Sequence, residues 1–266
     1  MARTKTSPVR LSEAEFATAA EAEGQGEILS PHREHGQDDL TRVAAPLISP
    51  NDTDCTDSLV LGYEALEFVT ASGRTILLCD PLTGLVAYPS FEEYVVRNLP
   101  SLGQKGLHLA IGDVDDLRTY VTSERSANPM MFGHIAGNRC MQIIGSTVKR
   151  WALDWMAKWP VLLCATFGGD EVVVAGTGRP YKDFVCQIEN LAAQIRLSAP
   201  CPCSFACGTL GPGPIAAAAA EGVYQSLVSK VDRALFAYKA RCKSSGLNPV
   251  GYIVDVGRVD VYSLGY

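Results

Sequence analysis

Phe167-Gly168-Gly169-Asp170-Glu171-Val172 is the stretch on which the reading of this chain turns. The apolar run Pro160–Phe167 (PVLLCATF) enters it, and Val172–Ala175 (VVVA) leaves it. Two such runs joined by Gly-Gly and acids predict a β-hairpin. The glycines supply positive φ at no steric cost. The hairpin tip then carries two adjacent carboxylates between strands expected to be buried. Ionised carboxylates are costly there unless a cation or hydrogen bonds compensate. Taken alone, the turn reads as an acidic surface loop; the rest of the chain changes that.

The chain has 266 residues, 47% of them hydrophobic, enough for one large domain or a medium domain with extensions. A net charge of −6 argues against a nucleic-acid polymer as partner, since phosphate binding needs clustered Lys and Arg. Mononucleotides stay open, because they need only a local pocket and a metal. The start, MARTKTSPVR, lacks the apolar stretch of a signal peptide, and no run approaches a membrane span. A soluble cytoplasmic protein without a membrane partner is expected. Its nine cysteines read as free thiols rather than a disulfide framework.

Residues 1–55 are polar and rich in Glu, Ala, Ser and Pro, which predicts a disordered arm. Within it, SEAEFATAAEAE (12–23) favours a transient helix. Residues 56–79 read as a linker or dimerisation segment. There Leu59–Cys79 fits either a hairpin (LEFVT, then RTILLC) or the end of a helix followed by a strand. Residues 80–266 read as the folded domain.

That domain opens with a turn, DPLTGL (80–85). A helix is expected over 90–99 with Ser90 as its cap, then a buried strand, Leu107–Val114. Thr122–Pro129 reads as a loop, and 136–156 as a helix with Met141, Ile144, Val148 and Trp151 on one face. After the hairpin come an amphipathic helix (181–196), a strand (Cys203–Leu210), a helix (222–241) and a strand (250–256). Two helices between the first strand and the hairpin, with the last helix and strand, would give β-α-β-β-α-β. The fold class is therefore α+β: a ferredoxin-like palm with a central antiparallel sheet flanked by helices, and carboxylates of neighbouring strands at one edge.

The strand 107–114 delivers Asp113, Asp115 and Asp116 at its C-terminal end. Asp113 and Asp115 are expected on opposite faces, one at the active edge and the other bracing the backbone. Asp113 with Asp170 or Glu171 makes a set of hard oxygen ligands suited to Mg²⁺ or Mn²⁺ rather than zinc. Two such ions can activate an attacking hydroxyl and stabilise a leaving phosphate in line. The chemistry indicated is phosphoryl or nucleotidyl transfer, set against an acidic edge without function. CPCSFAC (201–207) lacks zinc-ribbon spacing and reads as core or edge-strand thiols. His134 reads as a helix-entry residue, His32 and His35 as solvated, and Trp151, Trp155 and Trp159 as one helix face.

These residues carry a resemblance to the GGDEF family of diguanylate cyclases, from Asp80 to about Val256. DPLTGL resembles the family's D-x-L-T-G-L turn, and Asp113–Arg118 (DVDDLR) resembles D-I-D-x-F-K. Phe132–Asn138 (FGHIAGN) resembles F-G-H-x-x-G-D. Gly168–Val172 resembles the signature itself, with Val172 for Phe, and Val231–Lys239 (VDRALFAYK) resembles A-D-x-A-L-Y-x-A-K. The resemblance implies a bacterial signalling enzyme that condenses two nucleoside triphosphates, one on each protomer of a homodimer, to a cyclic dinucleotide and pyrophosphate. It implies metal at Asp113, the Val114 carbonyl and Asp170, with Asp170 as metal ligand or base and Glu171 as supporting acid. Arg118 and Lys239 would neutralise triphosphate charge. Asp115 would be structural.

The chain also departs from the family. Asn138 stands where the family has the Asp that reads guanine. An amide offers one acceptor and one donor, which suits the edge of adenine, so ATP joins GTP as an expected substrate. Asn128 lies one place off the family's second base-reading Asn. G-R-N reads Gly246-Leu247-Asn248, leaving Arg241 or Lys243 to contact phosphate. N-R after the opening turn is Ala87-Tyr88, and the arginine just before the signature is Thr166. The inhibitory R-x-x-D falls on Trp159-Pro160-Val161-Leu162 and is absent, so product feedback there is not expected. The alternatives are a catalytically inactive domain of this type that binds nucleotide or protein as a regulator, and a related palm enzyme acting on a single nucleotide.

Overall fold

The computed structural model describes residues 10–11, 60–61, 65–70, 73–127, 133–246 and 251–260. Apart from Arg10–Leu11 (β1), the polar arm lies outside the described residues, including the stretch expected to be a transient helix, His32 and His35. Val60–Leu61 (β2), Ala65–Thr70 (β3) and Gly73–Leu78 (β4) form an antiparallel three-stranded sheet, so the segment before Asp80 is a hairpin and not a helix end.

The main sheet is assembled from Val86–Ala87 (β5), Leu107–Val114 (β6), Val161–Phe167 (β7), Glu171–Thr177 (β8), Cys203–Leu210 (β9), Ile253–Arg258 (β10) and β1. Its order is β1-β10-β9-β6-β8-β7-β5. β6, β7, β8 and β9 run antiparallel to their neighbours within that group, while β10 and β5 join parallel on either side. The helices are Tyr88–Leu102 (α1), Leu117–Ala127 (α2), Gly133–Met156 (α3), Tyr181–Ser198 (α4) and Ala220–Ser244 (α5). The β-α-β-β-α-β palm closes with α4 and β9. The last helix and strand, expected to close it, are an addition at the β9 side.

The central strands read as continuous apolar runs because both sheet faces are covered. Leu107, Leu109 and Ile111 of β6 and Val173 and Ala175 of β8 pack with α1 and α5, around Phe91, Tyr224 and Leu227. Ala110 and Val114 of β6 and Val172 and Val174 of β8 face α3 and α4, around Met141, Trp151, Phe184 and Ile188. This is the period-two alternation of a strand with two apolar faces. Gly145 lets α3 touch the opening turn: a Cβ there would sit 2.5 Å from the Thr83 carbonyl oxygen. Asp80 holds that turn, accepting from Thr83 N and Thr83 Oγ1 at 2.7 Å each.

Three local expectations are corrected. Ser90 is not a helix cap: α1 starts after Ala87 with Pro89 in its first turn, and Ser90 Oγ accepts from Leu78 N at 3.3 Å. Up to Ala127, the expected loop 122–129 is helical; α2 buries no side chain and so leaves no apolar period to read. Trp159 lies beyond the end of α3, so the three tryptophans do not share one helix; it packs edge-on to Phe184 at 5.9 Å.

Candidate functional site

The C-terminal end of β6 meets the tip of the β7–β8 hairpin. Asp113 pairs in register with Glu171 on β8 and with Ser204 on β9. One hydrogen bond extends the ladder past the strand end, from Val114 N to the Asp170 carbonyl at 3.1 Å. Gly168 turns the tip at φ 77°, a region open to glycine. Thr166, where the family has an arginine, donates its hydroxyl to the Glu171 carbonyl at 3.1 Å. Phe167 lies edge-on to Tyr88 with ring centroids 4.0 Å apart, so the hairpin tip rests on the start of α1.

Lys239 rises to this point from α5. Its stem is largely buried, and its ammonium donates to the Asp113 carboxylate and to the Asp113 carbonyl at 3.0 Å. It pairs with Asp115 Oδ1 at 3.0 Å and reaches the Val114 carbonyl at 3.5 Å. Asp113 and Asp115 therefore meet one cation, and the expectation of opposite faces fails. Residues two apart on a strand share a side. Asp115 does brace the backbone: its Oδ2 accepts from Ser204 Oγ at 2.7 Å and from Gly251 N at 3.0 Å.

The charge balance is acidic. Glu171 is pushed up to about 7 by loss of solvation, then by Asp113, Asp170 and Asp232, with Lys239 opposing. Asp170 is raised by loss of solvation and by Asp113, again against Lys239. Lys239 is held above its ordinary range: burial pushes it down, and Asp115 and Asp113 more than offset this. Asp232 is raised by loss of solvation and by Asp113. Among the described residues the site thus gathers five carboxyl groups, Asp113, Asp115, Asp170, Glu171 and Asp232, around the Lys239 ammonium.

Among the described residues, no three Asp, Glu, His or Cys side chains converge as a metal site. The oxygen set fits a hard cation in another way, by mixing the Asp113 carboxylate with main-chain carbonyls, as oxygen-liganded cations accept. The ammonium already held there shows that these oxygens stabilise positive charge.

The remaining expected site residues belong to α2, the start of α3 and the end of α5, or lie outside the described residues. Arg118 is exposed in the first turn of α2, just after the Asp116 turn at φ 54°. Asn138 is exposed near the start of α3, against which α2 packs through Val121 and Gly137. Lys243 is exposed in the last turn of α5, one turn beyond Lys239, and Arg241 lies in the same turn. Asn128 falls outside the described residues, as do Leu247 and Asn248. The buried thiols Cys201, Cys203 and Cys207 carry no metal cluster among the described residues.

Sequence reading missed Asp232 and Tyr88. Asp232 precedes Lys239 by seven residues, two helical turns, a spacing that puts both on one face. Tyr88 bonds Tyr224 hydroxyl to hydroxyl at 3.1 Å and is pushed up to about 12 by burial, against that bond, with Glu92 and Glu171 contributing. No residue pattern marks that contact, because it joins α1 to α5, 136 residues away in sequence.

No protein-family model and no curated protein matches the chain. Among solved structures it is similar to the GGDEF domain of DgcB from Caulobacter crescentus in complex with c-di-GMP. That likeness has 18% identity and a TM-score of 0.50, over 66% of this chain and 92% of that one. The chain is also similar to the diguanylate cyclase SiaD in complex with its activator SiaC from Pseudomonas aeruginosa, at 20% identity and a TM-score of 0.49, over 67% of this chain and 61% of that one. A third likeness is to the GGDEF domain of TpbB (YfiN) from Pseudomonas aeruginosa, at 20% identity and a TM-score of 0.48, over 66% and 93%. The architecture is thus an α+β palm with its acidic hairpin beside the central strand. Within that class, the first likeness shows the GGDEF-domain fold. Among the described residues no helix is long and apolar enough to cross a membrane.

Proposed function

We propose that this chain is a divergent GGDEF-type nucleotidyl cyclase that condenses two nucleoside triphosphates, GTP or ATP, into a cyclic dinucleotide. The single observation carrying this reading is the meeting of Asp113, the Val114 carbonyl and the Asp170-Glu171 tip around Lys239. In each of two steps, a 3′-oxygen bonds to an α-phosphorus, the α–β phosphoanhydride breaks, and pyrophosphate leaves. The hydroxyl proton passes to Asp170, whose raised proton affinity suits a base better than an ordinary aspartate would. Glu171, near 7, stands beside it as the supporting acid. Asp113 and the Val114 carbonyl would hold Mg²⁺ or Mn²⁺, joined by Asp170 in the alternative where it is a ligand and not the base. When bound, such an ion supplies Lewis-acid stabilisation of phosphoryl oxygens. Arg118, Lys239 and Lys243 would offset triphosphate charge. Each protomer of a homodimer would hold one nucleotide, so that the two reacting ends meet.

Asn138 would read the base, with Asn128 as its companion. The amide suits adenine better than the family's carboxylate does, and this favours ATP beside GTP. One observation favours the inactive, regulatory reading: Leu247 stands where the family's phosphate-contacting arginine would be.

Incubating the purified protein with Mg²⁺ or Mn²⁺ and GTP, ATP or both, then identifying products by mass spectrometry, tests the proposal. A cyclic dinucleotide is expected. No product under any pairing would leave the regulatory reading, and a mononucleotide product would point to a single-substrate palm enzyme. Asn138→Asp should move base use toward GTP.

A further inference from the structure

Lys239 stands in two roles that it cannot fill at once. As a phosphate contact it must reach outward to the triphosphate. In this structure its ammonium is instead held by the Asp113 carboxylate, by the Asp113 carbonyl at 3.0 Å and by Asp115 Oδ1 at 3.0 Å, with the Val114 carbonyl at 3.5 Å. These include the oxygens a divalent cation would use. Oxygen ligands approach magnesium at about 2.0–2.1 Å and leave no room for a second cation among them. An ammonium and a divalent ion at the same carboxylate therefore exclude each other by space and by charge.

We propose that Lys239 is an internal cation that fills the divalent-ion site in the free protein and is exchanged for metal when nucleotide binds. This rests on the cyclase reading, because it takes Asp113 and Val114 as metal ligands. The exchange conserves charge compensation. Free, the ammonium balances Asp113 and Asp115. Loaded, the metal takes over Asp113, and the ammonium turns to the anionic phosphates that arrive with it. Asp115 supplies the return. Its Oδ2 keeps Ser204 and Gly251, while Oδ1, which accepts no hydrogen bond among the described residues, is balanced there by its ion pair with Lys239 alone, in a carboxylate 1% exposed. Moving the ammonium away leaves that oxygen unpaired, so metal alone is a poor competitor. Metal and phosphate both favour the displaced lysine, and each therefore strengthens the other's binding. A flexible four-carbon stem allows such a swing without moving α5.

The test is Mn²⁺ binding without nucleotide, followed by electron paramagnetic resonance. Wild-type protein is expected to bind weakly, Lys239→Met at least ten-fold more tightly, and Lys239→Arg, which keeps the charge, as weakly as wild type. Should Lys239→Met fail to fold, the double variant with Asp115→Asn removes the orphaned carboxylate together with its partner and carries the same expectation. Equal affinity of wild type and the lysine-free variants overturns the exchange. Asp113→Asn, added to a lysine-free variant, separates the two claims. If it abolishes tight binding, Asp113 is a ligand and any failure belongs to the exchange alone. If it leaves binding intact, the ligand assignment beneath the proposal fails as well. In wild-type protein carrying ¹³C at lysine Cε, Mg²⁺ with a non-hydrolysable triphosphate should shift the Lys239 resonance while the same Mg²⁺ alone does not. A Lys239 signal that stays in place with nucleotide bound overturns the proposal.

Discussion

The two ends of β6 are built on opposite principles. At the start of the strand, His108 is buried and fully partnered. Its Nε2 donates to the Arg179 carbonyl at 2.7 Å, and Nδ1 accepts from Thr209 Oγ1 at 2.7 Å. The rings of Trp159, Tyr181 and Phe184 surround it. Five residues on, at Asp113, the polar groups are in conflict: carboxyls raise one another's proton affinity around one ammonium. A satisfied buried polar group serves the fold. A cluster of under-compensated ones lowers stability and is retained where chemistry needs it. One strand, with the same two packed faces along its length, thus ends in a satisfied polar site on one side and an under-compensated acidic one on the other.

Substitutions should separate the ends, and the largest effect belongs to the acidic one. Asp113→Asn should lower cyclase turnover by about 100-fold or more, the scale at which one charge-stabilising group matters, while the melting temperature holds. Initial-rate assays beside thermal denaturation check this. Next comes Lys239→Ala, which leaves Asp115 buried beside an unpaired oxygen and should cost about 3 kcal/mol in urea unfolding. At the other end, His108→Ala should cost about 2 kcal/mol through its two buried hydrogen bonds and leave Mn²⁺ binding unchanged.

The pH dependence should also have opposite signs. Burial holds His108 below its ordinary pKa of 6.5, against the opposing bond to the Arg179 carbonyl. Below pH 6.5 the unfolded chain binds a proton that the folded one refuses, so stability falls as pH drops. Melting curves from pH 7 to 5 should show this fall, and His108→Gln should reduce it. Glu171 is raised to about 7 from 4.5. Across that window the folded state holds a proton that the unfolded state has lost, so stability falls as pH rises. In metal-free protein, Glu171→Gln should therefore gain about 1 kcal/mol at pH 8, after discounting for solvent screening, and nothing below pH 4.5.

Much of this was legible in the chain. β6 and β9 have the bounds that their apolar runs indicate, and the Gly-Gly turn is where its residues place it, because buried strands and glycine turns leave local signals. The ordered motifs pointed to the fold that the DgcB likeness shows. α2 reads as a loop over its second half because an exposed helix leaves no apolar period. Ser90 was misassigned because Pro89 in the first turn, not a side-chain cap, opens α1. Lys239 was read as a phosphate contact from its motif. That its ammonium lies among the β6 oxygens depends on how α5 crosses the sheet, and no residue spacing encodes that crossing.

In the proposed function, the β6–hairpin junction serves chemistry at some cost to stability. Wild type and Asp170→Asn, assayed in the same buffer for cyclic dinucleotide formation and for melting temperature, test it most directly. Product is expected to fall by at least about 100-fold, with the melting temperature equal or higher. Unchanged product, or a loss of activity that merely follows a fall in melting temperature, would contradict it.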